Sequence, residues 1–216
     1  MQIPIIRIGA EPRYFGSKIM ILNRLRHATS QRHAALECQL PLLDRQLTRE
    51  DYRRFVCRFL GYYAPLETRL LELPWWREIG FDYGERYKTP RLVQDMLALG
   101  VTADTLATFA RCSDLPRIDT LPQALGCLYV IEGATLGGQL VTRHLQENLG
   151  LTPRSGSAFF YGYGMQTGAR WKSFGALLTT HAEKTGDHAA IIDTANHTFE
   201  TFERWLFPPA PAATTH

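Results

Sequence analysis

His33 is followed one helical turn later by Glu37 and preceded two turns earlier by Arg26, a spacing that strings all three along one side of a helix. A neutral imidazole is a common metal ligand, and its second nitrogen usually donates to a carboxylate that fixes the ring. Glu37 stands at the i+4 position for that acceptor role, so the functional reading is a ligand to iron. The competing reading is a core histidine satisfied internally, because His33 shares its face with Leu22, Leu25, Thr29, Leu36 and Leu40.

A second chemical signal is a run of glycines inside an apolar helical segment, LGCLYVIEGATLGGQLVTRHL. Glycine within a helix costs roughly 1 kcal/mol relative to alanine, yet Gly126, Gly133, Gly137 and Gly138 all fall here. At about 100° per residue, Gly126, Gly133 and Gly137 lie within about 40° of one another. The expectation is a bare stripe against which something approaches the backbone closely, or over which the helix bends.

Other residues offer less. His144, His181, His188 and His197 sit on separate, mostly polar stretches, and no His-x-x-x-His or Glu-x-x-His occurs, which argues against a di-iron bundle. Gly-x-Ser-x-Gly, P-loop and Gly-x-Gly-x-x-Gly signatures are missing from the sequence. Phe160-Tyr161-Gly162-Tyr163-Gly164 reads either as part of a site or as a turn returning aromatics to the core.

The elements that must carry these residues are helical. The apolar face around His33 predicts a first helix over 18–39. Thr48-Arg49-Glu50-Asp51 resembles a capping box, with Asp for Glu, opening a second helix to about Leu71. Pro74, Gly80, Gly84 and Pro90 then break the chain around Trp75 and Trp76. Short helices are expected near 90–99 and 102–111. Thr120-Leu121-Pro122-Gln123 is a second capping box, starting the glycine helix that runs to about Gly150. Helices near 165–184 and 187–206 complete the chain, and no segment alternates like a strand. The fold class is all-α, one helical domain over 18–207, with an N-terminal extension (1–17) and a flexible tail (208–216).

The 216 residues suffice for one core. A net charge of +3 with no block of like charge does not favour nucleic acid, but a few arginines could hold a small anion. Cys38, Cys57, Cys112 and Cys127 lack CxxC pairing and zinc spacing, and read as small buried thiols of a reduced compartment, the cytoplasm. The N-terminus does not read as a signal peptide. Leu121–Val141 is about the length of a membrane span and contains Gly-x-x-x-Gly. Glu132 and Gln139 would then sit in lipid, so a soluble protein is expected.

Two segments together resemble the haem oxygenase family. Leu25-Arg26-His27-Ala28-Thr29-Ser30-Gln31-Arg32-His33-Ala34-Ala35-Leu36-Glu37 is similar to the family's first-helix motif, and Gly133-Ala134-Thr135-Leu136-Gly137-Gly138-Gln139 to its glycine-rich distal helix. Phe159–Gly164, Thr167-Gly168, Trp171, Ala195, Thr198-Phe199 and Trp205 resemble the bacterial branch associated with bacteriophytochromes. The likeness runs from about residue 20 to 206.

The resemblance implies a haem-oxygenase-like helical bundle that cleaves haem with O2 to biliverdin, ferrous iron and carbon monoxide. Haem is then both cofactor and substrate, with electrons from a ferredoxin, flavodoxin or reductase, and a bacteriophytochrome as a candidate recipient of the bilin. It implies His33 as iron ligand and Glu37 as its acceptor. Gly133, Gly137 and Gly138 become the close-passing catalytic backbone. Arg26 matches the basic position that pairs with a haem propionate, and Tyr129 lies one residue from a propionate-binding tyrosine of relatives. Arg170 and Lys172 fall in the helix that supplies further basic contacts. Ala134 departs from relatives that carry a water-organising aspartate there, which leaves open a haem carrier or sensor on the same fold. A haem-free helical enzyme, such as a thiaminase-like hydrolase, would need a reactive cysteine.

Overall fold

The structure, a computed structural model, describes residues 20–208. The expected N-terminal extension, and the tail beyond Pro208, lie outside these residues. Eight α-helices follow in order: α1 Met20–Gln39, α2 Arg49–Leu71, α3 Thr89–Ala98, α4 Ala103–Thr108, α5 Leu121–Leu149, the single turn α6 Ala158–Tyr161, α7 Thr167–Thr185 and α8 His188–Leu206. Short 3-10 turns occur at Pro74–Trp76, Gly84–Arg86 and Gly164–Gln166. No strand forms among the described residues. The chain is all-α.

Local chemistry sets the helix ends. The Thr48 hydroxyl accepts from the Asp51 amide at the start of α2, satisfying a donor that has no partner in the first turn. At α5 the full reciprocal box forms, with Gln123 bonding back to the Thr120 backbone and Pro122 in the first turn. Both helices therefore begin where the sequence places them.

The core is built around α5 and α8, with α1 laid beside α8 and α2 packed on α3 and α8. From α1 come Leu25, Thr29 and Leu36, from α2 Tyr62, Leu66 and Leu70, and from α8 Ile191, Ala195 and Phe199, all buried. The Tyr62 hydroxyl meets the Thr201 hydroxyl at 2.7 Å, which ties α2 to α8. α5 is the one described helix long and apolar enough to cross a membrane. Its flank is instead covered by α6, α7 and α8, and its Glu132 is neutralised by ion pairs inside the protein.

Two glycine expectations need correction. A Cβ at Gly126 would lie within 3.0 Å of the Ile191 carbonyl oxygen and 3.1 Å from Thr194 Cβ. Gly126 therefore serves the crossing of α5 over α8 and is no part of an open stripe. Gly138 behaves alike, since its Cβ would collide with the Phe160 carbonyl of α6. The cysteines also divide: Cys112 and Cys127 are buried, Cys57 is half-buried, and Cys38 is exposed, all as free thiols.

Candidate haem site

On the face of α1 that carries His33, Leu25, Thr29 and Leu36 are buried and Leu22 and Leu40 half-buried, whereas the His33 side chain is 49% exposed and that of Glu37 44%. An apolar face costs free energy when left open, so an uncovered histidine in its middle marks a place for something else to bind. Its Nδ1 faces Glu37 Oε2 at 3.5 Å, and its ring stands edge-on to Phe199, centroids 5.8 Å apart. On either side, Arg32 pairs with Glu200 and Gln39 donates to Glu203, so α8 fixes this stretch of α1. Nδ1 is thus the nitrogen turned to the carboxylate. Nε2 makes no hydrogen bond among the described residues.

One turn before each candidate residue, Tyr129 of α5 comes near Thr29 and Arg26 of α1. Tyr129, four residues before Gly133, places its hydroxyl beside Thr29, four residues before His33. Burial pushes the Tyr129 phenol up, against the opposing pull of the Thr29 hydroxyl and the Arg26 charge. Arg26 is exposed on α1. The structure therefore brings Arg26, Tyr129 and the His33–Glu37 pair into one neighbourhood.

Beyond Tyr129 this face of α5 is only partly covered among the described residues. A Cβ at Gly133 would meet only the Trp171 ring, at an ordinary 3.7 Å, so packing does not require glycine there. Gly133, Leu136 and Gly137 are half-buried, Ala134 is exposed, and Leu140 is 40% exposed. Trp171 also packs on Tyr129, centroids 5.8 Å apart, and forms an aromatic wall with Phe174. A wide apolar surface, an open imidazole and a guanidinium fit a flat apolar ligand with an anionic edge.

The donor set narrows the ligand further. Among the described residues no group of three His, Cys, Asp or Glu could hold a metal ion. A lone imidazole suits an iron that brings its own equatorial ligands, as haem does. These residues fit haem.

Two basic residues are not brought to this place. The Arg170 guanidinium donates to the Glu85 carbonyl at 3.2 Å and stacks over Tyr163 at 4.9 Å. Lys172 is exposed and shares in none of the site's contacts among the described residues. Arg170 is thus engaged with Glu85 and Tyr163, and Lys172 stands exposed on α7. The Cα of Gly138 faces the Phe160 carbonyl of α6.

The sequence reading missed a buried ionic cluster next to Gly133. Glu132 is 1% exposed and accepts from Arg86 and Lys88, each at 2.6 Å, and from the Tyr163 hydroxyl at 2.8 Å. Burial alone would push its carboxyl up, but Lys88, Arg86 and Tyr163 outweigh it and hold the group below its usual range. Burial likewise opposes the Lys88 charge, and Glu132 outweighs it, holding the ammonium above its usual range. One signal was available: a lone carboxylate in an apolar helix beside a glycine. Arg86 and Lys88 sit on a non-periodic segment and gave none.

Three of the four thiols are poor nucleophiles: burial pushes Cys127 up to about 12, and Cys57 and Cys112 are raised for the same reason, which weighs against a cysteine hydrolase built on any of them.

Comparison with known proteins agrees with the geometry. The haem oxygenase family model matches residues 20–207. The fold is similar to the NO- and CO-bound haem oxygenase of Neisseria meningitidis, at 17% identity and TM-score 0.72, covering 86% of this chain and 89% of that one. It is also similar to haem oxygenase from Leptospira interrogans, at 18% identity and TM-score 0.66, covering 86% and 98%. Identities this low show the fold; no curated protein sequence matches the chain. With nearly the whole described chain matched, this protein is a member of the haem oxygenase family of haem-degrading enzymes.

Proposed function

We propose that the protein cleaves haem with O2 and external electrons to biliverdin, Fe2+ and CO, with His33 as the iron's proximal ligand. The observation that carries this reading is the open His33 between the buried Thr29 and Leu36, its Nδ1 turned to Glu37. When bound, haem supplies both the iron centre for oxygen chemistry and the ring that is opened. The protein's residues bind and orient.

The Glu37 carboxylate accepts a hydrogen bond from Nδ1–H, which fixes the tautomer that presents Nε2 as ligand and raises its basicity. Arg26 and Tyr129 hold a propionate at the edge, a guanidinium being suited to a carboxylate. Gly133 and Gly137, without side chains, would let the α5 backbone approach the bound ring closely. Trp171 and Leu140 exclude water from the apolar flank. Ala134 supplies no carboxylate at this place.

The electron donor is a ferredoxin, flavodoxin or reductase, and the bilin passes to a photoreceptor of the bacteriophytochrome class. The free thiols fit a cytoplasmic setting. Purified protein given haem, a reductant and O2 should lose its Soret band and yield a bilin spectrum. Ala134 favours one second reading, a haem carrier or sensor. That reading requires tight binding with the ring intact after repeated reduction in air.

A further inference from the structure

Between its two ends, the distal stretch of α5 is fixed by different means. At its start, Glu132 is held from three directions by Arg86, Lys88 and Tyr163. Its carbonyl is also taken by the Thr135 hydroxyl at 2.6 Å. At its end, Gly138 rests on the Phe160 carbonyl, and Gln139 donates to the Tyr161 carbonyl at 3.1 Å. Gly133 in the span meets only the Trp171 ring. With so little side-chain contact of its own, Gly133 takes its position from these anchors.

The anchor at Glu132 is itself rigid. Glu67 of α2, fully buried, accepts from the Lys88 and Thr89 amides and the Thr89 and Tyr83 hydroxyls, at 2.6–3.1 Å. The 83–89 segment that carries Arg86 and Lys88 is thereby pinned to α2. Two carboxylates face two cations, all buried, so the cluster is closed in charge. Such a pair contributes little net stability over apolar residues, while removing one partner is costly. Specifying one arrangement is its better-attested use.

We propose that Glu132 is a positioning residue: its ion pairs with Arg86 and Lys88 set the height and tilt of the Gly133 backbone over the bound ring, and so bias which meso carbon is attacked. This rests on the haem-cleaving reading above. Shortening the side chain while keeping its charge draws α5 toward Lys88; removing the charge lets α5 relax away.

Glu132→Asp, Glu132→Gln and Tyr163→Phe test this. Three quantities are read: the melting temperature of the apoprotein, the C–O stretching frequency of the ferrous protein under carbon monoxide, and the isomer composition of the bilin. Glu132→Asp is expected to shift the C–O frequency and yield a second isomer while staying folded. Tyr163→Phe, which deletes one uncharged donor, should do so more weakly. A purely structural role lowers the melting temperature and leaves frequency and isomer ratio as in the parent protein; that result overturns the proposal. If Glu132→Gln does not fold, the other two variants decide. If the parent protein binds haem without opening it, the haem-cleaving reading fails first, and the frequency shift alone then judges Glu132.

Discussion

Gly126 and Gly133 lie two turns apart on one stripe of α5, yet the structure assigns them opposite roles, and alanine separates them. At Gly126 a Cβ would lie within 3.0 Å of the Ile191 carbonyl oxygen and 3.0 Å from its carbon. Both neighbours are backbone, so no rotamer relieves the clash and the helices must part by roughly 1 Å to reach ordinary contact. Overpacking of this kind costs about 1–3 kcal/mol, and rigid neighbours put it at the upper end. Better helix propensity returns about 1 kcal/mol. The net is roughly 2 kcal/mol, or about 4–8 °C in melting temperature for a chain this size.

At Gly133 the same methyl meets only the Trp171 ring at 3.7 Å. The propensity gain then stands alone, and the apoprotein should be unchanged or stabilised by up to about 1 kcal/mol. Haem binding and turnover should fall, because the methyl enters the space reserved for the ring. Thermal melting of the apo variants, with haem titration of each, reads both effects. If Gly133→Ala melts as early as Gly126→Ala, or turns over haem like the parent, the assignment of this face to the ligand is refuted.

Other consequences can be measured directly. Glu37→Gln keeps an acceptor near Nδ1 but removes its charge, so the haem should still be histidine-ligated while its reduction potential rises; an unchanged potential would show that Glu37 does not act through the ring. Tyr129→Phe should weaken haem binding by about tenfold or less, as loss of one hydrogen bond of about 1 kcal/mol implies, and leave the iron spectrum intact. Asp95, which accepts from the Ala158 and Phe159 amides, has its carboxyl raised by burial to about 6. Its folded value lies above its unfolded one, so the folded protein holds the extra proton between about pH 4 and 6 and loses stability as pH rises through that window. Two units correspond to about 3 kcal/mol. The melting temperature of the parent relative to Asp95→Asn should fall from pH 4 to 6, and a rise would contradict the shift.

Much of this was legible in the sequence because it is local or periodic. The two threonine caps, the reach of α5 and the i+4 pairing of Glu37 with His33 depend on neighbours within one turn. Glycine in a helix says only that something comes near; the sequence does not say whether a helix, a turn or a ligand does. Gly126 and Gly138 therefore read like Gly133 until α8 and α6 were seen against them. Arg170 and Lys172 were placed by the helix they occupy, but 100° of rotation from Trp171 decides what each reaches. The Glu132 cluster joins α5 to residues 86 and 88 across more than forty positions, a pairing no periodicity records.

Haem titration of His33→Ala beside the parent protein, followed by visible and electron paramagnetic resonance spectra of the ferric complexes, bears on the central claim most directly. The parent should show a histidine-ligated haem and the variant should lose that signature and its turnover, with the apoprotein still folded, since the exposed ring supports little of the core. The same histidine-ligated spectrum in His33→Ala would place the iron on another residue and contradict the account.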